Sequence, residues 1–116
     1  MASDWKITYY KSPSGKFPVK EFIDDLSEIP KARVHNAFEL LTEFGINIGM
    51  PHAKKVTGTP LWELRVLGEK SLRFFYVAQK GKEFLLLHGF VKKTQKTPVK
   101  EIKIALARLK LHENRD

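Results

Sequence analysis

Apolar residues recur along this chain with two different periods, and the switches between them divide it into elements. Residues 5–10, Trp-Lys-Ile-Thr-Tyr-Tyr, alternate and are rich in β-branched and aromatic side chains, which predicts a strand. Ser12-Pro13-Ser14-Gly15 reads as a turn. From Pro18, a favoured first helical residue, Val19, Phe22, Ile23 and Leu26 fall at i, i+3, i+4 and i+7. Ile29-Pro30 breaks that helix and starts a second, in which Val34, Ala37, Phe38 and Leu41 repeat the spacing until Gly45 stops it. Two short amphipathic helices with so brief a link predict an antiparallel helical hairpin laid on a sheet.

Residues 46–60 contain Asn47, Gly49, Pro51, Gly58 and Pro60 and read as a loop, made basic by His52, Lys54 and Lys55. Three apolar runs follow, over 61–66, 71–79 and 83–91. Their links, Gly68-Glu69-Lys70 and Lys80-Gly81-Lys82, are short enough for antiparallel hairpins. A last helix is expected to open with Thr97 as cap and Pro98 at its first position, and to bury Ile102, Ala105, Leu106 and Leu109. Residues 112–116 form a charged tail expected to fray. The order β-αα-βββ-α predicts an α+β fold in one domain, 1–116, with an antiparallel sheet packed against two N-terminal helices and a C-terminal one.

Composition narrows the function. At 116 residues the chain is the size of one ordinary domain, and 42% hydrophobic residues with 8 Phe, 3 Tyr and 2 Trp can fill a core. Lys+Arg 21 against Asp+Glu 13 gives a net charge of +8, with a pI near 9.8, which favours polyanionic partners. The absence of cysteine removes disulfides, thiolate metal sites and thiol nucleophiles, and fits a reducing cytoplasm. The start Ala2-Ser3-Asp4-Trp5-Lys6 lacks the apolar core of a signal peptide, and no stretch approaches a membrane span. The expectation is a cytoplasmic protein with no membrane association.

Arg65 and Arg73 carry the sharpest chemistry, because a strand arginine stays charged and must face water or an anion. A link of three residues, 68–70, pairs Leu67 with Ser71 and puts Arg65 opposite Arg73 on one face, with Glu63 on the same side. Two readings remain open: a phosphate-binding pair of arginines, or an Arg65–Glu63 pair on a solvated face. Lys92-Lys93-Thr94-Gln95-Lys96 leaves the last strand for a helix N-terminus and joins ammonium groups to hydroxyl donors. His88, in a strand expected to be central, is either a buried histidine tied to backbone or a proton-transfer group. Gly89 reads as a bulge or a close backbone approach. Phe74, Phe75, Tyr76, Phe84 and Phe90 are core first, although aromatics can also stack on bases, and the Tyr76 hydroxyl is a candidate near a phosphate. The histidines and carboxylates show no metal-ligand spacing, so neither metal nor cofactor is expected.

The set WKITYY, PVKEFIDDL, LWELRV, SLRFFYV and LLLHGFVKKTQKTPVKEIKIALAR resembles the RelE/ParE toxin superfamily, in particular its HigB-like, phage-derived branch. That resemblance covers residues 5–111. It implies a RelE-like fold and the toxin of a type II toxin–antitoxin pair that enters the A site of the 70S ribosome. There it would cut mRNA without metal, and a cognate antitoxin, of helix-turn-helix type, would neutralise it. In this chemistry the ribose 2′-hydroxyl attacks the adjacent phosphate, leaving a cyclic or 3′-phosphate and a 5′-hydroxyl. Carried over position by position, Arg73 matches the arginine that stabilises the transition state and Arg65 a basic position on the preceding strand. Lys93 falls in a basic segment of catalytic or RNA-clamping cations. The C-terminal tyrosine or histidine of many relatives has no counterpart. Glu63 and then His88 are therefore the candidate proton acceptors, with Lys54, Lys55, Lys92, Gln95 and Lys96 as RNA-binding residues. Two other functions share the fold: a ParE-like inhibitor of DNA gyrase, and an RNA-binding regulator without catalysis.

Overall fold

The structure, a computed structural model, describes residues 5–69, 71–96 and 98–115. Its elements run β1 (Lys6–Tyr9), α1 (Pro18–Asp24), α2 (Glu28–Phe44), β2 (Ala53–Lys55), β3 (Trp62–Arg65), β4 (Leu72–Gln79), β5 (Glu83–Val91) and α3 (Val99–Glu113). The fold is α+β, as expected, but the sheet has five strands in the order β1-β5-β4-β3-β2. It is mixed rather than antiparallel: β2 to β5 form an antiparallel meander, and β1 pairs in parallel with β5. The α1–α2 hairpin carries the chain from the β1 edge to the β2 edge, and the meander brings it back.

Two apolar clusters fill the two faces. On one side, Val19 and Ile23 of α1 and Val34, Phe38 and Leu41 of α2 pack on Leu64, Phe74 and Leu86. On the other, Ala105 and Leu109 of α3 pack on Tyr10, Leu85 and Leu87. Strand β4 is buried from Leu72 to Val77, which accounts for an apolar run interrupted by Arg73 alone.

Local chemistry accounts for the ends of the elements. Pro18 begins α1, and Pro30 lies in the first turn of α2, where a missing N–H breaks no helical bond. Gly45 ends α2 at φ 59°, and a Cβ there would stand 2.6 Å from Trp5 Nε1. Pro98 occupies the cap position just before α3 rather than its first turn, and Thr97 lies outside the described residues. The expected tail is partly helix: α3 runs to Glu113, Gln79 Nε2 and His112 Nε2 are 2.8 Å apart, and Arg115 donates to the carbonyl of Lys11.

Two corrections bear on the site. Part of the expected loop over 46–60 is strand β2, which pairs Ala53 with Leu64, Lys54 with Glu63 and Lys55 with Trp62. Its residues Ala-Lys-Lys carry no apolar alternation, so only the open edge of β3 makes them a strand. In β5, Phe75 pairs with His88 but Tyr76 pairs with Leu86, so Leu87 is an extra, bulged residue. Past the bulge the alternation inverts, placing His88 and Phe90 on the α3 face. Gly89 then meets the α1–α2 face, where a Cβ would sit 2.6 Å from Phe74. Among the described residues, no helix is long and apolar enough to cross a membrane.

Candidate functional site

The α3 face of the sheet is only half covered. Helix α3 packs against β5, and the β3–β4 side opens into a cleft of about 610 Å³ lined by Arg65, Ser71, Arg73 and the run Lys92-Lys93-Thr94-Gln95. A neighbouring hollow of about 570 Å³ shares Arg65, Ser71 and Arg73 and continues along the β3–β4 turn.

The arginines meet as their spacing predicts. The turn keeps Val66 N–H on the Leu72 carbonyl, so Arg65 stands directly opposite Arg73. Their surroundings differ from the expected solvated face. Glu63 is 1% exposed and Arg73 6%, and Arg73 Nε lies 3.2 Å from Glu63 Oε2. The carboxylate thus engages the diagonal arginine on the neighbouring strand. A second Arg73 nitrogen, Nη1, donates to the Leu72 carbonyl at 2.9 Å, which fixes the guanidinium in place. Burial lowers the pKa of Arg73, the charge of Arg65 lowers it further, and Glu63 opposes both. The guanidinium remains a cation at any working pH.

Lysines complete the cluster. Lys54 is the cross-strand partner of Glu63 and shares its face. Lys92 extends the β4–β5 ladder by one bond, its N–H donating to the Ser71 carbonyl at 2.6 Å, and continues the alternation of His88 and Phe90 onto the cleft face. Desolvation lowers the Lys92 pKa; the charges of Lys54, Arg73 and Arg65 act in the same direction, and Glu63 in the other. Arg65, Arg73, Lys92 and Lys93 thus line the cleft, and Lys54 stands beside the Glu63 carboxylate on the same face. Such an arrangement is held together best by an added anion, and Ser71, Thr94 and Gln95 bring neutral hydrogen-bonding groups to the same rim.

Several candidates stand elsewhere. Lys55 points to the opposite face, its ammonium 5.6 Å from the centre of the Trp62 ring. Lys96 is exposed outside the cleft lining, and its carbonyl accepts from Thr94 Oγ1 at 2.6 Å. Phe75 and Phe90 are buried beneath the cleft, so neither offers a ring to a base. Tyr76 is buried on the α1–α2 face, opposite the cleft, and desolvation raises its pKa.

His88 faces α3 and is absent from the cleft lining. Its Nε2 lies 2.7 Å from Glu101 Oε1 and its Nδ1 3.2 Å from Arg108 Nη1. An arginine N–H can only donate, so Nδ1 accepts and the proton sits on Nε2, facing the carboxylate. Arg108 also donates to the carbonyl of the bulged Leu87 at 2.9 Å and stacks on Tyr10. The backbone tie expected for His88 is therefore a side-chain network to α3. Glu101 and Arg108 were not singled out by sequence; their spacing of seven along the helix, in line with buried Ala105, was the available signal. Among the described residues, no group of three or more His, Asp and Glu gathers to hold a metal ion.

Fold and site together define a small basic α+β domain with a cationic cleft at the uncovered half of one sheet face. The family model described as phage derived protein Gp49-like (DUF891) matches residues 21–110, which include α2, strands β2 to β5 and every cleft residue named above. The chain belongs to that Gp49-like family. No curated protein matches it.

Proposed function

We propose that this protein is the toxin of a type II toxin–antitoxin pair, acting as a ribosome-dependent, metal-independent mRNA endonuclease. The observation that carries the reading is the convergence of Arg65, Arg73, Lys92 and Lys93 on one open cleft, with Lys54 on the same sheet face beside Glu63. Family membership supports it, since the Gp49-like family includes RelE/HigB-like toxins.

In this reading a phosphodiester of mRNA lies in the cleft, in the A site of the 70S ribosome. Arg73, fixed by Glu63 and its own backbone, faces the charge that builds on the phosphorane, and Arg65 stands beside it. A preorganised donor of this kind contributes about 10²–10³ in rate. The 2′-oxygen attacks phosphorus and the 5′-oxygen leaves. An antitoxin of helix-turn-helix type, carrying an acidic segment, would neutralise the protein by covering the same cations in the cytoplasm.

A second reading, an RNA-binding module without cleavage, draws on one observation: Glu63 and His88 are both engaged by cationic partners. Mapping of 5′ ends on ribosomes programmed with a defined mRNA separates the two. Cuts that require ribosomes and fall about 10²-fold or more in Arg65→Ala support the nuclease. Salt-sensitive binding without cuts supports the binding module, and inhibition of gyrase supercoiling would replace both with a ParE-like function.

A further inference from the structure

The cleavage proposed above needs a group that removes the 2′ proton, and the two residues the sequence offered for that task are ill placed for it. Glu63 is buried beneath the cleft and held at 3.2 Å by Arg73, so taking a proton would cost it the contact that fixes the arginine. His88 presents its Nδ1 lone pair to Arg108 and its Nε2 proton to Glu101, and it does not line the cleft. Of the groups that do, Ser71, Thr94 and Gln95 are not bases at neutral pH, and the two guanidiniums do not deprotonate. Lysine is the one cation type here able to shed its proton when its surroundings oppose the charge.

We infer that Lys92, as the neutral amine, takes the proton from the attacking 2′-hydroxyl, and that Glu63 acts as a positioning residue through Arg73. The inference rests on the nuclease reading and goes beyond it by assigning the base. The geometry is specific. Lys92 is tied by its backbone to Ser71 and lies on the same face as Arg73. The charged groups around it are Lys54 from β2, Glu63 and Arg65 from β3, Arg73 from β4 and its neighbour Lys93: four cations against one carboxylate. Burial comes first among the forces that favour the neutral amine, and Lys54, Arg73 and Arg65 add to it. Lys93, one residue on, is exposed. In the step itself the 2′ O–H bond breaks, its proton moves to Lys92 Nζ, and the freed electron pair forms the O2′–P bond. The P–O5′ bond breaks with its pair on O5′, which takes a proton from water.

The test is single-turnover cleavage on programmed ribosomes between about pH 6 and pH 9, with ribosome pelleting to measure binding. A lysine base makes the wild-type rate rise with pH across this range. Lys92→Arg keeps the cation but cannot act as a base. It should bind ribosomes as the wild type does, cleave about 10²–10³-fold more slowly, and lose the rise with pH. Because the chain has no cysteine, Lys92→Cys can be alkylated at that position alone with 2-bromoethylamine. The aminoethyl thioether restores an amine at the same position, so cleavage should return together with its rise with pH. Lys92→Arg cleaving within about tenfold of wild type, with the rise intact, would overturn the assignment while leaving the nuclease reading standing. A wild-type protein that binds ribosomes and cuts nothing would instead sink that reading, and this inference with it.

Discussion

If Glu63 anchors the cationic cluster rather than accepting a proton, Glu63→Gln should first be felt as a loss of stability. Arg73 Nε and Glu63 Oε2 are 3.2 Å apart, which at an effective dielectric of about 20 corresponds to roughly 5 kcal/mol of gross attraction. Much of that offsets desolvation. Removing one member of such a pair nevertheless leaves the other charge buried, at about 3–5 kcal/mol in a fully closed interior. Arg73 borders an open cleft, and water can reach part of its guanidinium, so about 2–3 kcal/mol is the expected loss. For a domain of this size that is a fall of roughly 10 °C in melting temperature. The neutral amide also leaves Arg65, Arg73 and Lys92 repelling one another without an internal counter-charge.

Two controls make the argument specific. The double variant Glu63→Gln/Arg73→Met removes both charges and should recover part of the stability, a coupling visible in a double-mutant cycle. Inorganic sulfate or a short polyphosphate should also raise the melting temperature of Glu63→Gln more than that of the wild type. At 100 times its dissociation constant such an anion contributes about 2.7 kcal/mol. Differential scanning calorimetry at low and high salt measures all of this. A melting temperature within about 2 °C of wild type, with no extra response to anions, would refute the anchoring role.

The cleft and the opposite face should separate cleanly: Lys54→Ala should weaken binding of single-stranded RNA and lower the salt-dependence slope by about 0.7, whereas Lys55→Ala should leave both unchanged in the same filter-binding titration. Burial outweighs Glu101 and lowers the pKa of His88, so its contribution to stability is complete above the unfolded value of 6.5 and is lost as pH falls through the lower folded value. Melting temperatures measured downward from pH 7 should therefore fall less steeply in His88→Asn than in the wild type. Gly89→Ala drives a Cβ to within 2.6 Å of Phe74 and 2.8 Å of Phe22, and urea unfolding should show about 1–3 kcal/mol of lost stability.

What could be read from the sequence, and what could not, follows from the range over which each feature is determined. Strands β3, β4 and β5, the helical hairpin and the Arg65–Arg73 register depend on periodicity and on one turn, all local. Strand β2 depends on the unsatisfied edge of β3, and its three residues carry no pattern of their own. That one omission had two consequences. It removed a reversal from the path between β1 and β5, so the parallel pairing of β1 could not be anticipated. It also left Lys54 and Lys55 looking equivalent in a loop, when strand alternation sends one to the cleft face beside Glu63 and the other over Trp62.

The position of Lys92 depends on a similar point. Counting by twos from Leu85 and Leu87 reaches Gly89 and Val91, which would turn His88 and Lys92 toward α1 and α2. The bulge at Leu87 inverts that count, bringing His88 under α3 and Lys92 beside Arg73. Nothing in Leu85-Leu86-Leu87-His88 announces which leucine is extra. Arg108 of α3 identifies it in the folded chain by donating to the Leu87 carbonyl that the bulge displaces from the ladder. The same arginine contacts His88 Nδ1, so the bulge, the histidine and α3 are locked as one unit. The chemistry of the cleft therefore depends on a helix that does not line it. Truncating Arg108 should disturb the setting of Lys92 through the β5 backbone, with no cation lost from the cleft itself.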